Sequence, residues 1–303
     1  MSLPPSKNNG SIRPFMTTCR GALFEGDCLD VLRRLRGGVV DCVFADPPFN
    51  IGKDYKNSFD DNVEKLEYLR WSKDWIRECA RVLKPGGAFF LYALPNLAIQ
   101  FGAILSELLD FRHWIAITMK GTYPRGRKLY PAHYGLLYYT RGNPNTFNRV
   151  RLPVQKCRHC GGEIKDYGGH RDKLNPEGLN LTDFWDDTSP NRHKKFKVRP
   201  GVNELKLIIP ERAIRIATNP GDLVLDPFGG GGSTYEAAEA NDRNWLGIEL
   251  YDCTHIQSRL EQRFEISVNR PPRFNYQVLF KHENRSDSVL RRSTAEDLSA
   301  RAR

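Results

Sequence analysis

The chain has 303 residues, 40% of them hydrophobic and 27% charged, and a formal net charge of +10. This length predicts one large domain, or one domain with an insertion. No apolar run approaches the roughly 18 residues that a membrane span requires. Residues 1–20 lack the apolar stretch of a signal peptide, so we expect a cytoplasmic protein with no membrane contact. The seven cysteines are scattered, which is typical of reduced thiols.

The positive charge is concentrated in one segment. Residues 120–200 contain 17 Lys and Arg against 7 Asp and Glu, whereas the rest of the chain holds 29 of each kind. A basic region on a neutral scaffold indicates a polyanionic partner, most simply a nucleic acid. A solvated lysine-rich surface is the alternative interpretation if charge is taken alone.

Apolar strands and amphipathic helices alternate along the first 140 residues. A strand is predicted over 21–25 and a helix over 28–35, in which Leu29, Leu32 and Leu35 are three residues apart. Further strands are predicted at 39–44, 88–92, 114–119 and 134–139, and further helices at 64–83 and 97–109. This alternation predicts an open α/β sheet.

The pattern changes over residues 141–200, where Gly, Pro, Asn and charged residues dominate. After this stretch, helices are predicted at 203–217, 233–239 and 251–264, and strands at 223–225 and 245–248. We therefore predict one α/β domain interrupted by an insertion. Its parts are a disordered tail at 1–18, the α/β domain at 19–140 and 201–268, the insertion at 141–200 and a polar tail at 279–303.

An acidic, proline-rich corner follows the apolar run 39–44. The corner reads Asp46-Pro47-Pro48-Phe49. Two prolines restrict the backbone, so that a carboxylate and a carbonyl can be held in one orientation beside an aromatic ring. This pattern indicates a site for chemistry. The alternative is structural, with Asp46 as a helix cap and Phe49 in the core.

A glycine-rich loop follows the predicted strand 223–225. It contains Asp226 and four glycines and leads into a helix that we expect Ser233 or Thr234 to cap. Glycines let a ligand approach the backbone, and a helix N-terminus offers unpaired N–H groups. No lysine follows the glycines, which argues against a P-loop. Glu249 ends the next strand, where dinucleotide-type folds place a carboxylate on ribose hydroxyls, so the loop predicts a nucleotide-like cofactor.

The sequences DPPF and DPFGGGGST, in this order, resemble the β group of amino DNA methyltransferases, the adenine-N6 enzymes that use S-adenosyl-L-methionine. The similarity covers about residues 20–265 and includes GDCLDVL, LKPGGAFFLY, HYGLLYYTRG and NELKLIIPERAIRIATNPGD. It implies a Rossmann-like methyltransferase sheet with a circularly permuted motif order and an inserted basic target-recognition region at 141–200. The α/β domain would then be the catalytic domain.

The resemblance also implies roles for individual residues. Asp46 and the Pro47 carbonyl would accept the hydrogens of the target amine, Pro47 and Pro48 would fix the corner, and Phe49 would stack on a base turned out of the duplex. The implied cofactor contacts are Asp27, Cys28, Asp226, Phe228, Gly229, Gly231, Ser233 and Glu249. For Asp27, an N-cap of the following helix is the competing interpretation.

Duplex DNA is the implied partner, and a restriction endonuclease is a second partner that the family admits. The residues predicted to contact DNA, chiefly its phosphates, are Arg125, Arg127, Lys128, Arg192, Lys194, Lys195 and Lys197. Cys157 and Cys160 form half the ligand set of a zinc ribbon. Neither His159 nor His170 completes a recognised pattern, so the favoured interpretation is a turn without metal.

Other functions remain open on sequence grounds. Cytosine-N4 methylation uses the same chemistry, although that group usually has Ser where this chain has Asp46. A non-catalytic nucleic-acid-binding module on the same fold would be expected to lack the DPPF corner or the glycine loop, and both are intact. Methylation of RNA or of a protein amide is a weaker alternative.

Overall fold

The computed structural model describes most of the α/β domain and part of the insertion. The described residues are 13–52, 62–119, 127, 129, 132–154, 160, 162, 173, 175–190, 204–264 and 273–281. Their helices are α1 (Cys28–Arg34), α2 (Lys65–Val82), α3 (Pro95–Ser106), α4 (Ile208–Ala217), α5 (Ser233–Ala240) and α6 (Thr254–Phe264). Their strands are β1 (Met16–Thr17), β2 (Gly21–Glu25), β3 (Val40–Ala45), β4 (Leu83–Ala93), β5 (Asp110–Thr118), β6 (His133–Thr140), β7 (Arg151–Leu152), β8 (Leu179–Asn180), β9 (Phe184–Trp185), β10 (Leu223–Asp226) and β11 (Asn244–Glu249).

Nine of the described strands form one sheet, in the order β1-β2-β11-β10-β3-β4-β6-β5-β9. The five strands from β2 to β4 in this order are parallel, and β6 is antiparallel to both of its neighbours. Strand β3, which carries the DPPF corner, is therefore adjacent to β10, which carries the glycine loop. Along the chain β3 precedes β10. The two motifs therefore occur in the permuted order, although their strands are neighbours in one sheet.

Helices cover both faces of this sheet. Residues of α1, α2 and α3 pack on one face with Val43, Phe89 and Leu91, and residues of α4, α5 and α6 pack on the other with Phe44 and Phe90. Successive residues of a strand point to opposite faces, so a strand buried on both sides has to be apolar throughout. This explains the largely apolar strands and confirms the predicted α/β fold.

The predicted helix 203–217 begins later than expected, at Ile208. Glu204 and Leu205 precede the helix and are both buried, in contact with the loop after β10. Tertiary contacts therefore override helix propensity at this end.

Several contacts bear on the predicted division of the chain, which itself stays a prediction. Within the expected disordered tail, β1 pairs with β2. Within the expected insertion, β9 pairs in parallel with β5 and joins the main sheet. Arg212 of α4 forms an ion pair with Asp187 and lies 5.2 Å from the ring centroid of Trp185. Phe280, in the expected polar tail, forms a bridge with Leu35. The last part of the insertion is thus fastened to the α/β domain.

In the described part of the chain, no helix is long and apolar enough to cross a membrane. The cysteines described there are free thiols: Cys19, Cys28, Cys42, Cys79, Cys160 and Cys253.

Candidate active site

The corner after β3 is held rigidly. Pro47 is buried, and the hydroxyl of Tyr68 in α2 donates a hydrogen bond to the Pro48 carbonyl over 2.6 Å. Asn50 has a positive φ of 53° and exchanges two 2.8 Å hydrogen bonds with the backbone of Val63. Because Pro48 is tied to α2 and Asn50 to Val63 just before α2, the backbone of the corner is held at the carboxyl end of β3.

Three aromatic side chains lie together beside the Asp46 carboxylate. The ring of Phe49 lies 6.1 Å from that of Tyr92 and 6.2 Å from that of Tyr134, and the two tyrosine rings stack with centroids 5.0 Å apart. Burial raises the pKa of both tyrosines, and the Asp46 carboxylate raises it further. Both hydroxyls therefore stay protonated next to Asp46.

Sequence reasoning missed Tyr92 and Tyr134. They lie in β4 and β6, which read as ordinary apolar strands. The available signal was their place near the end of β4 and the start of β6, because antiparallel pairing brings those two ends to the same edge of the sheet as the DPPF corner. Phe49 is half-buried and packs against the apolar residues on both faces of the sheet. Its interpretation as a core residue therefore also has support.

The glycine loop follows β10. Its last glycine, Gly232, has a φ of +76° and occupies the N-cap position of α5, where no side chain provides a capping hydrogen bond. The predicted cap by Ser233 or Thr234 is therefore wrong, because a left-handed residue needing glycine stands there instead. The Ser233 hydroxyl is buried and donates to the Leu205 carbonyl over 2.8 Å.

Gly231 is required for packing within the protein. A Cβ atom at this position would lie 2.9 Å from Cγ of Glu204, closer than real Cβ atoms come. A glycine in such a loop also lets a ligand approach the backbone. The structure gives it a second reason, the close contact with Glu204.

Three carboxylates converge at one edge of the sheet. Asp226, 2% exposed, accepts a 2.9 Å hydrogen bond from the Phe228 amide. Burial raises the pKa of Asp226 well above its usual value, and the nearby Asp46 and Glu249 carboxylates raise it further. Such a cluster of acids is unfavourable unless a cation or a set of hydrogen-bond donors is to be bound there.

Residues 40–257 match the family model of N6/N4 type that is described as DNA methylase. The chain belongs to the N6/N4 DNA methylase family. This confirms the resemblance inferred from the DPPF corner and the glycine loop.

A curated relative and two solved structures are similar to this DNA methylase. It is 46% identical over 253 residues to the type II methyltransferase M.BamHI of Bacillus amyloliquefaciens, and the alignment covers 83% of this chain and 60% of that relative. The PvuII DNA methyltransferase, described as cytosine-N4-specific, superposes with a TM-score of 0.55 at 20% identity and covers 80% of this chain and 86% of its own. The M1.HpyAVI complex with S-adenosylmethionine superposes with a TM-score of 0.53 at 20% identity, covering 79% and 98%. These structures confirm the Rossmann-like methyltransferase fold.

The remaining predicted cofactor residues of the methylase lie around the same edge. Asp27 accepts a 2.7 Å hydrogen bond from the Leu29 amide and caps α1, so its N-cap interpretation has support, and burial raises its pKa. The Cys28 side chain is buried in the core. The ring of Phe228 contacts Trp75 edge-on, with centroids 5.0 Å apart, and the Gly229 amide donates to the Ile248 carbonyl.

Of the residues predicted to contact DNA, the described part of the methylase includes Arg127, which is exposed. The others lie outside the described residues: Arg125, Lys128, Arg192, Lys194, Lys195 and Lys197. Cys160 is exposed, whereas Cys157, His159 and His170 also lie outside them. Among the described residues, no group of three or more His, Cys, Asp or Glu side chains is arranged to hold a metal ion.

Proposed function

We propose that this methylase transfers a methyl group from S-adenosyl-L-methionine to an exocyclic amine of a base in duplex DNA. The supporting observation is the sheet order, which brings the Asp46 corner and the glycine loop to adjacent strand ends. A methyl donor and an acceptor amine have to meet, and two neighbouring strand ends at a crevice of an α/β sheet are where such ligands meet.

The residues at the glycine loop suit S-adenosyl-L-methionine. Its cationic groups match the carboxylates of Asp226 and Glu249, and its ribose hydroxyls match a strand-end acid such as Glu249. Gly230 has a φ of +50°, and among the described residues a Cβ there would meet only the Phe228 carbonyl oxygen, at 3.8 Å, so the space beside it can admit a ligand. When bound, the cofactor supplies an electrophilic methyl group.

The corner would prepare the acceptor. An exocyclic amine on a base is a poor nucleophile, because its lone pair is delocalised into the ring. Asp46 and the Pro47 carbonyl would accept the two amine hydrogens, which turns the lone pair towards the methyl group. Phe49, Tyr92 and Tyr134 provide aromatic surface for a base turned out of the duplex.

We propose adenine N6 as the first acceptor, because the resemblance associates aspartate at the position of Asp46 with the adenine enzymes. Cytosine N4 is the second candidate. The contacts of Asp46 and Pro47 need only an exocyclic amine, which both bases carry, and the aromatic rings can stack on either base. Duplex DNA would be held by the basic segment, and a restriction endonuclease is the accompanying activity that we propose for the cell.

The experiment incubates the purified protein with methyl-labelled cofactor and duplex DNA, then digests the DNA to nucleosides. We expect label in N6-methyl-2′-deoxyadenosine, and label in N4-methyl-2′-deoxycytidine would establish the second candidate. An Asp46→Ala variant is the negative control, and RNA is offered in parallel. Absence of label from duplex DNA, with the parent protein folded, would refute the proposed function.

A further inference from the structure

We propose that His255 and Arg259, two residues of α6, are positioning residues that set the conformation of the glycine loop for cofactor binding. The inference rests on the proposed function for its cofactor. Neither residue belongs to the DPPF corner or to the glycine loop.

The two side chains hold successive carbonyls of the loop. His255 Nε2 lies 2.6 Å from the Gly230 carbonyl oxygen, and Arg259 Nη1 donates to the Gly231 carbonyl. Residues four apart lie on the same face of a helix, so α6 presents both donors together. Ile256 completes this face, because a Cβ at Gly232 would lie 3.0 Å from its Cγ2.

The tautomer of His255 follows from its partner. A peptide carbonyl only accepts hydrogen bonds, so Nε2 must carry the proton that it donates to Gly230. His255 Nδ1 is buried and has no hydrogen-bond partner among the described residues.

Arg259 is held in place by two buried acids. Its Nε donates to Glu236 of α5 over 2.6 Å, and its Nη1 lies 3.8 Å from the Glu204 carboxylate. The side chain of Arg259 is 3% exposed, and those of Glu204 and Glu236 are 0% and 5% exposed. Burying these charges is costly unless they are paired and bonded, so the network is a poor source of stability but a precise way of fixing one geometry.

The consequence for the loop follows from peptide geometry. In a trans peptide the carbonyl of one residue and the N–H of the next point in opposite directions. Turning the Gly230 carbonyl towards α6 therefore turns the Gly231 N–H away from α6. Meanwhile the Gly230 N–H is fixed on Glu249. Both sides of the Gly230 residue are thus constrained before any ligand arrives.

The first test compares His255→Leu with His255→Gln, whose amide nitrogen can take the place of Nε2. We expect His255→Leu to bind S-adenosyl-L-methionine, without DNA, about fivefold more weakly, the scale of one neutral hydrogen bond. His255→Gln should restore the affinity to within about twofold. Ser258→Ala, which alters an exposed α6 hydroxyl that donates to the Thr254 carbonyl, is the matched control and should bind as the parent does.

The second test needs no cofactor. Hydrogen–deuterium exchange of the peptide spanning 226–235 should be faster in cofactor-free His255→Leu than in the parent, and should return to the parental rate in His255→Gln. For Arg259, the combined variant Arg259→Met, Glu204→Gln, Glu236→Gln removes the buried charges together. It should remain folded and show the same faster exchange.

The outcomes separate the two proposals. A parent that binds no S-adenosyl-L-methionine would refute the proposed function, and the exchange rates would still decide whether α6 positions the loop. Unchanged affinity or unchanged exchange in His255→Leu would overturn this inference alone. The inference would also be overturned if His255→Gln showed the same affinity and exchange as His255→Leu.

Discussion

The Glu249 carboxylate accepts a hydrogen bond from the Gly230 amide over 2.7 Å, which ties the end of β11 to the loop after β10. The backbone of the same residue accepts a 2.9 Å hydrogen bond from Gly26, at the end of β2. One acid therefore joins the two strand ends that are expected to flank the cofactor.

The first prediction concerns this acid. Glu249→Ala should weaken binding of S-adenosyl-L-methionine by about 1–3 kcal/mol, the scale of a lost hydrogen bond to a charged group, even without DNA. Glu249→Gln can still accept the hydrogen bond from the Gly230 amide and should lose less cofactor affinity. Calorimetric titration of both variants measures the difference. Parental affinity in a folded Glu249→Ala protein would contradict the proposed cofactor site.

Asp46 should matter for transfer far more than for binding. Interactions made mainly in the transition state lower kcat when they are removed, so Asp46→Asn should lose at least about a hundredfold in single-turnover methyl transfer. Cofactor and DNA affinities should stay near parental values, or DNA binding should tighten as a negative charge is lost. Asp74→Asn, which removes the same charge from an exposed position on α2, is the control. Near-parental transfer by Asp46→Asn would remove the main support for the amine-holding role.

Tyr134 should contribute through its ring. Tyr134→Ala removes one ring of the stacked pair. The fall in kcat/KM for DNA should correspond to a loss of about 1–3 kcal/mol, the range measured for stacking of one base on an aromatic side chain. Tyr134→Phe keeps the ring and should remain within about twofold of the parent, a smaller change than the loss of stacking would cause. If the phenylalanine variant loses as much as the alanine variant, the hydroxyl is the important group and the stacking role is wrong.

Asp226 should show a conflict between stability and function. Its pKa is raised in the folded protein, so the stability it contributes is fully present below the unfolded value of about 3.9 and is lost as pH rises through the folded value. Asp226→Asn has no such loss and can still accept from the Phe228 amide. Its advantage in thermal unfolding temperature over the parent should therefore grow from pH 4 upward. Cofactor affinity should fall, and a constant difference across pH would contradict the raised pKa.

The basic segment should supply the DNA affinity, although its three lysines at 194, 195 and 197 lie outside the described residues. Replacing Lys194, Lys195 and Lys197 with Ala should weaken duplex binding and reduce the slope of log K against log salt by roughly 0.9 for each phosphate that is no longer neutralised. Cofactor affinity should not change. Lys73→Ala with Arg77→Ala, two cations of α2, is the control. An unchanged salt slope in the triple variant would show that these lysines do not bind phosphates.

Much of the α/β domain was predictable because each element carries its own periodicity. The apolar run 39–44 and the strand 223–225 are buried on both faces, and burial on both faces leaves a continuous apolar signal. Their adjacency in the sheet was not predictable from spacing, since Asp46 and Leu223 are 177 positions apart. The family resemblance supplied that part.

What sequence reasoning missed depends on tertiary contacts. Gly232 replaces a side-chain cap by adopting a left-handed conformation, which composition does not distinguish from loop flexibility. Glu204 and Arg259 read as solvated charges on amphipathic helices, and only the folded chain brings them together beneath Gly231. Strand β9 has two residues, too few for any periodic signal.

Strand β9 and its contacts also set limits for protein engineering. An exchange of residues 141–200 with those of a relative would remove Trp185, which is 1% exposed, and separate the buried Arg212 from Asp187. A buried cation without its acid is strongly destabilising. A chimera that keeps residues 183–190 with the recipient preserves the edge of the sheet. Recognition segments would then be exchangeable only upstream of Asp183 or downstream of Pro190.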